Sequence, residues 1–383
     1  MKYLNILFII NSDSGPENKN GITKILHNIK PRKYINVDLL SPYNSNAPSY
    51  IKKTYNCKIN KSKRKSSKIS SLLNGWCAED YQKKNINSDI FQCLKNIWFD
   101  YDRIFFIGSS TISIYDDIIK FGFLPILSKS IFFAIDNKSV YFKRAIKNNT
   151  FPKNIYYWLQ YRFFKKRSEV KYKFFDKVLF VSDYDSLIYK IDNPVSEKKV
   201  FTCTNGVIIP NEFENYKKNN DIYLHGNFSY VPNIEAYKNN MSIIKFIRKI
   251  DCDAKFIIFG INSHYFEKTI ELTVHGVVEN IYSFLPSYNN YVCYQVTGAG
   301  VKNKILEAFS KKMLVFANKE VVNGLNVEPG FHYVDISNLM FSDIANRILS
   351  ITSEERIFIS NNAYELVKHQ YSWDSFSKKL FEL

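Results

Sequence analysis

What this chain lacks narrows its chemistry first. Its six cysteines (Cys57, Cys77, Cys93, Cys203, Cys252 and Cys293) are scattered. None forms a Cys-x-x-Cys pair or a Cys/His cluster of zinc spacing; several lie in apolar stretches and read as small core residues, which fits a reducing cytoplasm. No window holds about 20 uninterrupted apolar residues, so no transmembrane helix is expected and any membrane contact would be peripheral. The opening run, Met1–Ile10, turns polar too soon for a secretory leader and reads better as a buried first strand. There is no tandem repeat and no RNA-binding or helix-turn-helix signature. No convincing Asp-x-Asp metal site occurs either. Asp251-Cys252-Asp253 has the letters, but it falls in the turn between a basic helix and the next strand.

What is present suits two globular domains: 383 residues, 45% hydrophobic and 23% charged. The 27 Tyr and 31 Phe, beside much Lys, Asn and Ile, resemble the bias of an AT-rich genome and carry less function than their number suggests. The net charge of +17 makes the surface attractive to anions: nucleic acid, anionic lipid or anionic substrates. With no nucleic-acid motif in view, nucleic acid is the least favoured of the three.

Short apolar runs alternate with helical spacing through both halves. Asn5–Ile10, Ile35–Leu40, Asp102–Gly108, Ser130–Asp136 and Lys177–Ser182 read as strands, with a helix over 21–29. The lysine-rich stretch 51–69 reads as an exposed loop. Asn205-Gly206, followed by Pro210 and an Asn-rich segment, marks a boundary. The pattern then restarts with Ile222–His225, Phe256–Phe259, Thr273–His275 and Met313–Ala317, and 354–383 reads as helical. Strands punctuated by helices imply an α/β fold of parallel sheets, with ligands at the strands' C-terminal ends.

The most informative stretch is Gly298-Ala299-Gly300-Val301-Lys302-Asn303-Lys304-Ile305-Leu306-Glu307-Ala308. It follows an apolar strand and opens a helix. Two glycines let backbone approach a ligand closely, and the helix N-terminus presents N–H groups and a positive dipole end to an anion. Lys302 and Lys304 supply point charges suited to phosphate, although a helix turns them roughly 200° apart. Glu307, about one turn further in, is placed to accept from a sugar's hydroxyls. Together these predict a site for a ribose joined to a diphosphate.

Motif and layout together resemble the GT-B glycosyltransferases, especially the group-1 (GT4-like) family, most strongly over 176–373. Phe175–Ser182 looks like that family's last N-domain strand, and Thr204-Asn205-Gly206-Val207 like its linker. Gly226-Asn227-Phe228-Ser229-Tyr230-Val231-Pro232-Asn233 resembles the loop beside the donor diphosphate. Val274-His275-Gly276-Val277-Val278 resembles the strand–Gly–Val turn, and Tyr371-Ser372-Trp373 the tail that crosses back to the first domain. The resemblance implies two Rossmann-like domains whose parallel sheets face an interdomain cleft. An acceptor-binding domain over 1–204 would be joined by a returning helix over 366–383, and a nucleotide-sugar domain would span 205–365. It implies donor contacts from Gly226, Asn227, Asn233, His275, Gly298, Gly300, Lys302, Lys304 and Glu307. A structural turn at 226–233 and a core role for His275 are the competing readings.

Asp13, Asp136 and Ser139 fall in loops expected to face the cleft, and Gly21 sits where the family has an interdomain glycine. Asp13 or Asp136 could act as general base in an inverting enzyme, against the plainer reading of a capping carboxylate. Group-1 resemblance instead implies retention, with a UDP- or GDP-sugar as co-substrate and no metal or other cofactor. The implied acceptor is a lipid-linked saccharide of a bacterial surface polysaccharide, handled in the cytoplasm beside an anionic membrane. Aromatic and basic residues interleave over 151–176 in a pattern that suits either such a membrane or an ordinary core helix. The chain also departs from the family. Many members carry two glutamates eight apart, whereas Ala299 stands eight before Glu307, and Tyr294 and Val296 stand where the G-x-G-x-K-x-K-x-x-E variant often has proline and arginine. A non-catalytic partner of a polysaccharide assembly and a sugar-nucleotide 2-epimerase therefore stay open.

Overall fold

The computed structural model describes residues 3–12, 21–43, 47–57, 68–215, 217, 219–296 and 301–383. The chain forms two compact units. One is Met1–Thr204 with Phe376–Leu383, and the other is Asn205–Ser375.

The first unit is built on seven strands: β1 (Leu4–Ile10), β2 (Ile35–Ser41), β3 (Ile51–Asn56), β4 (Arg103–Ile107), β5 (Ser130–Ile135), β6 (Lys177–Phe180) and β7 (Val200–Thr202). Their order is β3-β2-β1-β4-β5-β6-β7, and every pairing is parallel. Helices cover parallel strands on both faces, so central strands read as continuous apolar runs. Ile6 through Ile10 and Ile104 through Ile107 are accordingly buried.

The expectation of a loop over 51–69 is corrected at both ends. Ile51–Asn56 is β3, and a helix begins at Lys68, while 58–67 lie outside the described residues. β3 hides in the sequence because it is an edge strand. Lys52 and Lys53 are exposed on it, as charges on an edge discourage further pairing.

The second unit has six strands: β8 (Ile222–His225), β9 (Phe256–Phe259), β10 (Leu272–Val274), β11 (Asn290–Cys293), β12 (Leu314–Ala317) and β13 (Val334–Asp335). Their order is β10-β9-β8-β11-β12-β13, again parallel throughout. β13, two residues long, is too short to show a period. Asp251 and Asp253 lie between the helix Val231–Ile247 and β9, where the Asp251 carboxylate accepts from Asn220 Nδ2 (2.8 Å) and from the Asp253 N–H (3.2 Å).

The end of the chain is two helices, Ser353–Gln370 and Trp373–Glu382, not one over 366–383. At the break, Val207 N donates to Tyr371 O (2.7 Å) and Val207 bridges Ser372. Gly206 must be glycine here, since a Cβ would lie 2.7 Å from the Trp373 Cα. The chain joins the first unit only from Phe376, whose carbonyl accepts from Cys203 Sγ, while Ser377 Oγ accepts from Lys30 N (2.9 Å).

Candidate functional site

In the second sheet the strand order reverses between β8 and β11, and ligands of open α/β sheets bind beyond the strand ends at such a point. The backbone there is pinned by amides. Asn240 Nδ2 donates to Val292 O (2.8 Å) and Asn239 Nδ2 to Tyr294 O (3.0 Å). Asn318 both accepts from Gln295 N (3.1 Å) and donates to Gln295 O (2.9 Å), and Glu235 accepts from Val296 N (2.9 Å). These bonds fix the end of β11 and the residues that follow it through Val296.

That helix turns Lys304 and Glu307 inward on one face, three residues apart, and both are buried. Glu307 Oε2 lies 2.7 Å from His225 Nε2, with each side chain only 7% exposed. His225 Nδ1 lies 3.1 Å from the Tyr291 hydroxyl, and its ring stacks on Phe259 at 5.2 Å. Burial drives the Tyr291 pKa far upward, so its proton stays on oxygen. An ionised carboxylate only accepts, so Nε2–H donates to Glu307.

Lys304 Nζ donates to Asn233 Oδ1 (2.8 Å) and Gln295 Oε1 (2.9 Å). Both acceptors are neutral, and an ammonium has a third N–H to give. Asn233 is itself set by a bond from its Nδ2 to Asn227 O (2.8 Å). Gly226 makes room for it: its φ is +153°, and a Cβ there would lie 2.7 Å from Asn233 Nδ2.

Of the sequence-predicted donor residues, the structure brings together Gly226, Asn233, Lys304 and Glu307. Asn227 joins through its carbonyl, while its side chain accepts from Ser229 N (2.9 Å) in a local turn. Lys302 stands half-buried immediately before the helix, whereas Lys304, inside it, is buried. Gly298, Gly300 and Asp13 lie outside the described residues. His275 is exposed at the end of the edge strand β10, with its ring 5.1 Å from Phe284 and no bond to this group.

In the first unit, Asp136 is exposed at the end of β5. The expectation that Ser139 faces a cleft is corrected: it is buried, and its hydroxyl donates to buried Glu169. Gly21 opens the helix Gly21–Asn28, with nothing within 4 Å of where a Cβ would stand. The residues that sequence reasoning missed are His225, Tyr291 and Gln295. The signal for His225 was its place directly before Gly226. Among the described residues, no group of three or more His, Cys, Asp or Glu could hold a metal ion.

No protein-family model and no curated protein matches the sequence. Solved structures do match over nearly the whole chain. A glycosyltransferase from Rickettsia africae is 13% identical, covers 100% of this chain and 98% of its own, and superposes with a TM-score of 0.62. The Anabaena protein HepE, crystallised with UDP and glucose, is 14% identical over 99% of both chains, with a TM-score of 0.63. WaaG, a glycosyltransferase involved in lipopolysaccharide biosynthesis, is 10% identical over 98% of both chains, with a TM-score of 0.61. The fold is GT-B, two units each built on a parallel Rossmann-like sheet.

Proposed function

We propose that this chain is a glycosyltransferase that takes a nucleotide-diphosphate sugar as donor. The observation that carries the reading is Lys304, a buried cation at the switch point of the second sheet. It is held by two neutral oxygens and lies one helical turn from the buried carboxylate of Glu307. A diphosphate oxygen suits the third N–H of Lys304, and ribose hydroxyls suit Glu307 beside His225. In transfer, the bond from the sugar's anomeric carbon to the diphosphate breaks, and a bond from that carbon to an acceptor hydroxyl oxygen forms. The acceptor's proton passes to the departing phosphate in a retaining reaction, the outcome favoured by the sequence resemblance. Lys304 and the N-terminus of its helix would offset the charge that develops on the leaving group.

UDP is the favoured nucleotide, with GDP the alternative, because HepE was crystallised with UDP and glucose. The acceptor we infer is a saccharide hydroxyl, lipid-linked and belonging to a bacterial surface polysaccharide. WaaG's part in lipopolysaccharide biosynthesis and the basic surface support this choice. The reaction then belongs on the cytoplasmic face of an anionic membrane.

A thermal-shift panel of UDP, GDP, CMP and their sugar conjugates tests the donor site on wild type, Glu307→Ala and Lys304→Met. A ligand that binds only the folded state raises its melting temperature. The expected result is one nucleoside diphosphate stabilising wild type and neither variant. If no nucleotide stabilises wild type, the transferase reading falls and the non-catalytic partner reading takes its place.

A further inference from the structure

We propose that Lys84, Arg167 and Lys171, gathered around Trp76 in the first unit, bind a phosphate ester. Three cations lie over one ring: the Lys84 ammonium, the Arg167 guanidinium and the Lys171 ammonium each stand 5.1 Å from the Trp76 ring centroid. No two of them are therefore more than about 10 Å apart, a separation comparable to the screening length of about 8 Å at physiological salt. They come from three segments. Gly75 takes a left-handed turn (φ +63°) directly before Trp76, which is buried, and Lys84 lies in the second turn of the helix Ala78–Ile97 that follows. Arg167 closes the helix Lys153–Arg167, and Lys171 sits in the short helical turn Glu169–Phe174. Lys83 Nζ donates to the Asn11 carbonyl (3.1 Å), directly after β1, so the start of the helix Ala78–Ile97 stands beyond the C-terminal end of that strand. Ligands of open parallel sheets bind on that side.

Charge selects the occupant. Lys171 is buried and pairs with Asp116 at 2.8 Å. Buried Asp80 accepts from Ser168 and from Lys138 (3.5 Å). Lys84 and Arg167 are exposed and have no carboxylate partner among the described residues. The group thus sets three positive charges against the single carboxylate of Asp116. Burial holds the Lys171 pKa below its usual value, and the charge of Lys84 adds to this, although Asp116 and Asp80 pull the other way. A ring face holds cations in place without neutralising them, which leaves their charge for an anion. The excess matches a phosphate monoester, with about −1.5 to −2 charges at pH 7 and three acceptor oxygens. A carboxylate brings one charge and two oxygens, a poorer match. The Arg167 fork suits two phosphate oxygens at once, and the Lys84 ammonium serves as a point charge for the third. The inference does not rest on the sugar-transfer reading.

The test is calorimetric titration of the full chain with glucose 6-phosphate, beside glucose and glucuronate, and without any nucleotide. Glucose 6-phosphate is expected to bind about tenfold more tightly than glucuronate, and glucose not at all. Lys84→Gln and Arg167→Gln should each weaken glucose 6-phosphate about tenfold, the loss of one charge-assisted contact. Both side chains are exposed, so melting temperatures without ligand should stay at the wild-type value and separate lost binding from lost folding. Lys304→Met, in the second unit, should leave this affinity unchanged. If Lys304→Met removes it instead, the phosphate belongs to the second unit and the proposal is overturned. So it is if wild type binds no glucose 6-phosphate, if glucuronate binds as tightly, or if Lys84→Gln and Arg167→Gln bind like wild type.

Discussion

The two sheets share a parallel, doubly wound topology, yet the places where their strand order reverses carry opposite chemistry. In the second unit the ends of β8 and β11 gather His225, Glu307 and Lys304, whose partners include only neutral oxygens for the lysine. In the first unit the ends of β1 and β4 are closed by amides and hydroxyls. Asn11 Nδ2 donates to Asn87 Oδ1, and Asn87 Nδ2 donates to Ser110 O (2.7 Å) and Ser113 Oγ (2.5 Å). Buried charge exists there too, but it is neutralised from within. Glu169 accepts from Lys165 and Asn193 as well as from Ser139, and Asp80 accepts from Ser168 and Lys138. A buried charge matched inside its own unit specifies the fold. On the function proposed above, the buried cation left among neutral partners is arranged for a diphosphate that arrives.

Substitutions at the two switch points should have different consequences. Lys304→Met should lower sugar transfer by about 10²–10³-fold, the usual cost of removing one preorganised group facing a leaving charge. Nucleotide-dependent stabilisation should vanish with it. The counterpart is Asn87→Ala, which strips partners from Asn11, Ser113 and the Ser110 carbonyl. Its expected cost is about 2–3 kcal/mol of folding stability by denaturant titration, with nucleotide affinity unchanged. If Asn87→Ala abolishes nucleotide binding while Lys304→Met only destabilises, the roles assigned to the two switch points are reversed.

Much of the second unit was legible because its signals are local. β8 and β9 end where the apolar runs end, and Lys304 and Glu307 share a face by helical spacing alone. His225 was missed for a reason that can be named. Two strands run into His-Gly, at His225-Gly226 and at His275-Gly276, and nothing local says which strand is central. Strand order decides it: β8 is at the switch point and β10 at the edge. Gln295 was missed because an amide gains meaning only from the lysine it faces. In the first unit, Ser139 meets Glu169 from thirty residues away, and Asn11 meets Asn87 from seventy-six. Long-range polar pairings of this kind leave no periodic trace in sequence.

A pair of glycines sharpens the contrast at smaller magnitude. Gly226→Ala would drive a Cβ into Asn233, whose amide oxygen holds Lys304. Nucleotide affinity should fall about tenfold, an effect of about 1.4 kcal/mol, read by calorimetric titration. Gly21→Ala adds a methyl to open space at a helix start. It should leave nucleotide affinity unchanged and stability equal or higher by up to about 1 kcal/mol. A loss of nucleotide binding in Gly21→Ala would mean that the first unit reaches the donor.

The smallest effect tests whether every buried charge of the second unit belongs to the site. Lys311 is buried and pairs with Glu214 at 3.0 Å, and Glu214 also accepts from Ser287 N (2.9 Å) and Ser287 Oγ (2.7 Å). Partial burial pushes the Glu214 carboxyl upward, but the Ser287 bonds and then Lys311 outweigh it and depress the pKa from 4.5 to about 2. A carboxylate depressed on folding adds stability above its unfolded pKa and loses it as pH falls through the folded one. Wild type should therefore lose a modest increment of melting temperature between pH 4.5 and about 2. Glu214→Gln should melt lower than wild type at pH 7 and converge with it toward pH 2, with nucleotide binding intact at neutral pH. The side chain is half exposed, so solvent screening keeps the increment small. Convergence without loss of binding would place Glu214–Lys311 with the internally matched pairs of the first unit. What sets Lys304 apart would then be the neutrality of its partners, not its burial.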